Sequence, residues 1–248
     1  MNKRLVLAAI LVAYGIPVLA QATAKGVAES NLRIASFIHT MSTKSPSLTS
    51  DRTLDLADIE GSMYYNEYFT QAKIYYSGKP FQSILARYNA YTDEIEIKRD
   101  DQETAEALLK DVKVSCEVNG ERLVYSEYLD KKGNLENGYL VKVFSGKKYN
   151  LYQKKSKSFK EGQQPKTSLH LPTPDKFVDR SEFYVALDSQ TPKFLPDSKK
   201  KLSTVFDEDK VGVLKTYVKR NEIDLGKKED LQRLLRYAET VSTEGKGV

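Results

Sequence analysis

The chain is poor in the residues that most often carry catalysis, metal binding or crosslinks. Its 248 residues include one cysteine, two histidines and no tryptophan. Because Cys116 has no second cysteine to pair with, the stability of the fold must come from burial of apolar side chains. His39 and His170 lie far apart in the chain, and neither has a histidine or cysteine close by. A zinc site needs three or four such ligands, so we expect no metal and no other cofactor.

Motifs of nucleotide-binding and hydrolytic sites are also missing. The sequence contains neither a GxxxxGK[ST] nor a GxGxxG phosphate loop, and no GxSxG nucleophile elbow. Cys116 lies on the apolar face of a predicted strand, where a thiol is normally inert, and this disfavours a catalytic pair with His170. We therefore expect that the protein is not an enzyme.

The first twenty residues have the pattern of a secretory signal peptide. Lys3 and Arg4 precede an apolar run over 5–13 that is too short to span a bilayer, and a small-x-small cleavage site ends at Ala20. Cleavage after Ala22 is the alternative. We predict an exported protein, periplasmic or secreted, with no transmembrane segment after cleavage. The single cysteine, Cys116, lies far from the cleavage site, whereas a lipoprotein needs one immediately after it, so we expect no N-terminal lipid anchor.

Short alternating segments separated by turn residues begin at Leu54 and are typical of antiparallel strands. Over 112–118, apolar Val114 and Cys116 alternate with polar residues, and Asn119-Gly120 follows as a strong hairpin signal. Comparable turns are predicted at Ser77-Gly78, Thr92-Asp93, Lys131 to Asn134 and Ser145-Gly146. We predict seven strands from Ala72 to Lys155, and an eighth that places Phe183, Val185 and Leu187 on one face.

A helical period replaces this pattern after Pro196. Leu231, Leu234, Leu235, Ala238 and Val241 repeat at helical spacing, and Ser198, Asp207 and Asn221 are the predicted helix boundaries. We predict an α+β fold, in which a curved antiparallel β-meander of about eight strands is covered by two to three short C-terminal helices. The predicted divisions are a signal peptide (1–20), a flexible N-terminal arm (21–53), a sheet domain (54–195) with a long loop at 156–177, the helices (196–242) and a polar tail (243–248).

Two stretches carry a resemblance to a known family. Residues 61–69 are GSMYYNEYF and residues 87–96 are RYNAYTDEIE. They resemble the GxxYxNxxF and RYNxYxDxIE motifs of an uncharacterised family of exported, periplasmic β-sheet proteins of Gram-negative bacteria. The resemblance covers most of the mature chain. It implies an envelope β-sheet protein and implies no catalytic residues.

Tyrosine is the residue that this chain uses most heavily among the aromatics, with 16 copies. The residues predicted to form a ligand or partner surface are Tyr64, Tyr65, Tyr68, Phe69, Tyr88 and Tyr91. The alternative is that these rings occupy the border between core and solvent, where tyrosine fits well on a strand.

Two sets of charged residues could have a function. Lys154, Lys155, Lys157 and Lys160 either contact an anionic surface such as lipid head groups or form a lysine-rich strand edge that prevents sheet association. Glu94 and Glu96 share one strand face, which we expect to be solvated. The net charge of +5 falls to +3 when Lys3 and Arg4 are removed, too little to indicate nucleic acid as a partner.

These observations lead to two hypotheses about function. The first is a non-enzymatic envelope protein that binds a hydrophobic or amphipathic ligand, such as a lipid, between sheet and helices. The alternative is a protein–protein interaction or structural module of the cell envelope, acting through a sheet edge or a Tyr-rich patch. A continuous apolar cavity would favour the first, whereas a filled core with exposed tyrosines would favour the second.

Overall fold

The computed structural model describes residues 59–100, 104–163 and 171–244, together with the pairing of Ser42 and Thr43. The predicted signal peptide, nearly all of the N-terminal arm, both histidines and residues 245–248 lie outside this part of the chain.

Within these residues, eleven strands form one mixed sheet. They are β1 (Ser42–Thr43), β2 (Thr70–Tyr76), β3 (Lys79–Asn89), β4 (Glu94–Lys98), β5 (Glu106–Leu108), β6 (Val114–Val118), β7 (Glu121–Leu129), β8 (Leu135–Ser145), β9 (Tyr149–Lys160), β10 (Lys176–Leu187) and β11 (Lys193–Leu195). Eight of them correspond to the predicted strands. The expected count of about eight was too low because β1, β5 and β11 have only two or three residues, too few to show an alternating pattern.

All five predicted turns connect neighbouring strands from β2 to β4 and from β6 to β9. Asn119 and Gly120 have φ values of 53° and 74°, as a type I′ hairpin turn requires. Asp93 also adopts a positive φ of 57°, which aspartate tolerates better than most residues. Cys116 lies on β6 with its side chain fully buried, as its alternation with polar residues predicted.

Five of the strands close into a ring. Strands β7, β8, β9, β10 and β11 pair in succession, and β11 returns to β7 through the parallel pair Lys193 and Leu129. The expectation of a purely antiparallel sheet was therefore wrong. A three-residue strand carries no sequence signal for whether it pairs parallel or antiparallel with a neighbour. Here the direction of β11 follows from the position at which β10 ends.

Strands β9 and β10 pair along twelve residues, from Tyr149 opposite Leu187 to Lys160 opposite Lys176. The connection between them therefore spans 161–175, shorter than the long loop predicted at 156–177. Only residues 150–153 of β9 also pair with β8. Beyond them, residues 154–160 and 176–182 form a two-stranded extension, the β9–β10 arm, that reaches towards the β3–β4 hairpin.

The C-terminal helices pack on the ring. A 3-10 helix (Lys199–Thr204), α1 (Glu208–Arg220) and α2 (Lys228–Glu244) follow β11, and the first two begin after Ser198 and Asp207 as predicted. Their buried side chains form one apolar core with those of β9 and β10. The fully buried leucines of this core are Leu151, Leu202, Leu214, Leu231, Leu234 and Leu235. Burial of each contributes about 1.5–3 kcal/mol, so the helices are an integral layer of the fold.

Candidate functional site

The two stretches that carry the family resemblance lie side by side. The loop over 61–69 runs along the β3–β4 hairpin, where the N–H of Ala90 donates to the carbonyl of Met63 at 3.0 Å. Tyr64 and Asn89 also form an antiparallel bridge. Residues that are more than twenty positions apart in the sequence thus form one continuous surface.

An ion pair between Arg87 and Glu96 holds the loop to the hairpin. These residues face each other across β3 and β4, and Arg87 Nε lies 2.7 Å from Glu96 Oε2. The hydroxyl of Tyr64 donates to Glu96 Oε1 at 2.9 Å and accepts from Arg87 Nη2 at 2.8 Å. Asn89 Nδ2 donates to the same carboxylate at 3.1 Å. Burial, reinforced by the Glu96 charge, raises the pKa of Tyr64 well above its ordinary value, so this hydroxyl stays protonated and keeps its donor role.

The guanidinium of Arg87 is also enclosed by aromatic rings. It lies 4.0 Å from the ring centroid of Tyr64 and 4.4 Å from that of Phe69, within cation–π range. Its Nη1 donates to the carbonyl of Glu67 at 2.9 Å. Every nitrogen of Arg87 therefore has a partner, and its role is to position the loop.

The acidic residues of β4 are buried, whereas the sequence predicted a solvated face. Glu94 is 8% exposed and Glu96 is 6% exposed. Tyr64, from the loop over 61–69, lies against the Glu96 carboxylate. The pairing of Arg87 with Glu96 could have been predicted from the sequence. A turn at Thr92-Asp93 sets the register that places these two residues opposite each other.

A second buried ion pair joins the hairpin to the β9–β10 arm. Lys154 Nζ lies 2.7 Å from Asp93 Oδ1 and donates to the carbonyl of Tyr139 at 3.2 Å. Asp93 also accepts from the Tyr88 hydroxyl at 2.5 Å and from the backbone N–H of Tyr139 at 3.1 Å. A Cβ at Gly138 would lie 2.5 Å from Asp93 Oδ2 and 2.6 Å from Lys154 Nζ. A larger residue at this position would therefore have to displace the two charged groups from each other.

The electrostatics of this second pair follow from its burial. Burial lowers the pKa of Lys154, and the Asp93 charge opposes that shift. Burial also raises the pKa of Tyr88 far above its ordinary value, and the neighbouring Asp93 carboxylate adds to the effect. The charged and hydroxyl groups of this cluster are engaged with one another, and together they fix the arm against the hairpin.

The six predicted aromatic residues divide into an inner and an outer set. Tyr64, Phe69 and Tyr88 belong to the contacts described above. Tyr65, Tyr68 and Tyr91 are instead exposed, by 40%, 77% and 36%, and we call these three the tyrosine surface.

The arm supports two of the outer rings. The Tyr65 hydroxyl lies within hydrogen-bonding distance of the carbonyls of Ser156 and Arg180, at 3.2 and 3.1 Å. The ring of Tyr91 meets Phe177 edge-on, with centroids 5.2 Å apart. Both tyrosines are therefore exposed on one side and anchored on the other.

A groove of about 300 Å³ runs beside Tyr65. Its lining combines apolar, amide and charged side chains: Tyr65, Asn66, Tyr88, Val118, Asn119, Glu121, Leu123 and Lys155. A smaller hollow of about 200 Å³ lies on the Arg87 side of the loop. The groove is thus next to Tyr65, and the hollow includes Phe177, the ring that Tyr91 contacts.

The lysines predicted to contact an anionic surface lie on the β9–β10 arm, and three have partners within the protein. Lys154 pairs with Asp93, Lys155 with Glu121 at 2.5 Å, and Lys157 with Asp179. Lys155 and Lys157 also approach the Tyr65 ring, at 5.3 and 4.5 Å from its centroid. Lys160 is the exposed member of the set.

Among the described residues, no group of three or more histidine, cysteine, aspartate or glutamate side chains could hold a metal ion. No helix in the same part of the chain has both the length and the apolar character needed to cross a membrane. Comparison with protein-family models, curated proteins and solved structures gives no match to this chain. Only the chain's own residues therefore bear on its function.

Proposed function

We propose that this protein is a non-enzymatic interaction module of the cell envelope that binds another protein through its tyrosine surface, Tyr65, Tyr68 and Tyr91. The observation that carries the proposal is the exposure of three tyrosines on a base that is locked by two buried ion pairs. Tyrosine is enriched at the energetic centres of protein interfaces, because one ring combines a large apolar area with a polar hydroxyl.

The rigid base matters for affinity. Ordering a flexible side chain or loop on binding costs about 0.5–1.5 kcal/mol per immobilised side chain. Here Arg87–Glu96 and Asp93–Lys154 already order the loop, the hairpin and the arm in the free protein. A partner that docks on these tyrosines would therefore not have to provide that ordering free energy.

The core supports this hypothesis over an amphiphile held between sheet and helices. Leu202, Leu214 and Leu234 are fully buried and belong to one apolar core with Tyr149 and Phe183 of the sheet. Interiors filled in this way have few voids larger than a water molecule. The described residues of the interface thus form a packed core.

An envelope location is part of the proposal and is supported by the sequence of residues 1–20. Outside the cytoplasm the available partners are other envelope proteins. The resemblance of the two motif stretches to an exported β-sheet family points in the same direction.

Site-specific photo-crosslinking in cells that produce the protein tests the proposal. A photoreactive phenylalanine analogue at Tyr68, which is 77% exposed, should give one discrete protein adduct. Val112 is 71% exposed and lies before β6, outside the tyrosine surface, so the same analogue there is the matched control. No adduct at position 68, or the same adducts at both positions, would refute the proposed surface.

Native mass spectrometry of the protein isolated from its envelope provides an independent check. We expect a complex with a second protein that is lost in Tyr68→Ala, while the melting temperature is unchanged because an exposed ring contributes little to stability. A co-purified amphiphile without any protein partner would favour the other hypothesis.

A further inference from the structure

A basic pocket lies away from the tyrosine surface, on the ring side of the molecule. It has a volume of about 570 Å³ and is lined by Leu129, Asp130, Lys131, Gly133, Lys193, Phe194, Pro196, Lys201 and Thr204. Its three lysines come from three elements: the β7–β8 turn, β11 and the 3-10 helix. Only the tertiary structure brings them together.

The positive charge of this pocket is only partly offset by its own lining, which holds three lysines and one acid. Lys131, Lys193 and Lys201 are exposed, and none of the ion pairs formed among the described residues involves them. Asp130 is the one acid among the described lining residues. Its carboxylate accepts from the backbone N–H groups of Lys132 and Asn134, both at 2.8 Å.

Asp130 therefore stabilises its own turn and offsets one of the three lysine charges. These hydrogen bonds lower the pKa of Asp130, so it stays ionised and keeps the β7–β8 turn in shape. Lys132, Lys199 and Lys200 flank the lining in the sequence and are also exposed, while Asp197 follows Pro196. Cations clearly outnumber acids around the pocket.

The floor of the pocket is apolar and fixed. Phe194 meets Tyr184 edge-on with centroids 5.9 Å apart, and Tyr184 meets Tyr128 in the same way at 4.9 Å. Phe194 thus rests on a small aromatic cluster inside the ring. Leu129 and Pro196 complete this apolar part of the lining.

We propose that this pocket binds the phosphate-bearing head group of an anionic lipid. The three unpaired lysines supply the charge that such a head group requires, and the apolar floor receives the first carbons attached to it. The site is separate from the tyrosine surface, so the protein could contact a lipid surface and a protein partner at the same time.

Vesicle co-sedimentation of the full chain tests this assignment. We expect binding to phosphatidylcholine vesicles that contain phosphatidylglycerol and none to phosphatidylcholine alone. Each lysine near an anionic surface is worth about fivefold in binding, so Lys131→Gln/Lys193→Gln/Lys201→Gln should weaken binding about a hundredfold. The single variant Lys201→Gln should weaken it about fivefold, which keeps the test decisive if the triple variant fails to fold.

The matched control removes the same charge elsewhere. Lys73, Lys79 and Lys113 are exposed on or beside strands β2, β3 and β6, on the other half of the sheet. Their triple replacement by glutamine should leave vesicle binding within about twofold, since exposed charges beyond a Debye length are screened.

Three outcomes would overturn the proposal. Equal loss in the two triple variants would show that only the overall charge matters. Equal binding to both kinds of vesicle would remove the requirement for an anion. Inorganic phosphate that binds at the three lysines, without any binding to phosphatidylglycerol vesicles, would assign the pocket to a free anion instead of a lipid.

Discussion

Replacing Lys154 with methionine would test the buried ion pair that joins the β9–β10 arm to the β3–β4 hairpin. Methionine keeps an unbranched side chain but removes the ammonium that lies 2.7 Å from Asp93. The side chains of Lys154 and Asp93 are 11% and 22% exposed. The carboxylate would therefore remain largely buried without its counter-charge.

The expected loss follows from what still surrounds Asp93. Removing one partner of a buried ion pair typically costs 3–5 kcal/mol, because the remaining charge is uncompensated. Asp93 would retain the hydrogen bonds from the Tyr88 hydroxyl and the Tyr139 N–H. We therefore expect a decrease of about 3 kcal/mol in the free energy of unfolding, at the lower end of that range.

Urea denaturation in a double-mutant cycle measures this loss. Asp93→Asn is the matched change, since asparagine tolerates the positive φ of residue 93. The double variant Asp93→Asn/Lys154→Met should lose about 2 kcal/mol less than the sum of the single losses, because neither charge is then left alone.

An exposed ion pair provides the control. Lys227 and Asp224 are 69% and 52% exposed and 3.6 Å apart, so Lys227→Met should cost less than about 1 kcal/mol. Additive losses at Asp93 and Lys154, or a loss at Lys154 no larger than that at Lys227, would refute the argument that burial makes this pair important.

Three further predictions concern the core. Leu234→Ala should lower the free energy of unfolding by about 2–5 kcal/mol, measured by urea denaturation, since Leu234 is fully buried between α2 and the sheet. Burial raises the pKa of the Cys116 thiol to about 12, so iodoacetamide should react only in unfolded protein; fast alkylation of the native protein would contradict this. Burial also raises the pKa of Tyr88, Tyr139 and Tyr184 above the ordinary value of 10. The unfolded state therefore loses these protons first, and stability should fall above pH 10 by about 1.4 kcal/mol per pH unit for each tyrosine. Among the described groups, the lowered pKa of Lys154 acts in the opposite direction, and only below its ordinary value of 10.5. Urea denaturation as a function of pH measures the slope, and a flat profile would contradict the prediction.

Local patterns were sufficient to predict most of the strands and turns. Asn119-Gly120 predicted its hairpin because both residues reach positive φ at low cost. The alternation around Cys116 predicted an inward-facing thiol, and the helical spacing of Leu231, Leu234 and Leu235 predicted the buried face of α2. Each of these signals lies within a few consecutive residues.

Only part of the candidate site could be predicted, because local patterns do not report contacts between distant residues. Its aromatic residues were identified from their motif, but the sequence does not show which rings face solvent. Tyr64 and Tyr65 are neighbours, yet Tyr64 packs on Arg87 while Tyr65 is exposed beside the arm. That difference depends on strands β3 and β9, which are distant in the chain.

The sequence by itself determined the α+β class, the order of the long strands and helices, and the turns between them, because these depend on the preferences of adjacent residues. The tertiary structure alone decided the ring closure through the three-residue β11, the burial of Lys154 against Asp93 and the gathering of Lys131, Lys193 and Lys201 around one pocket. The physical reason is that the free energy of these features comes from contacts between residues far apart in the chain. No periodicity in a single segment records such contacts.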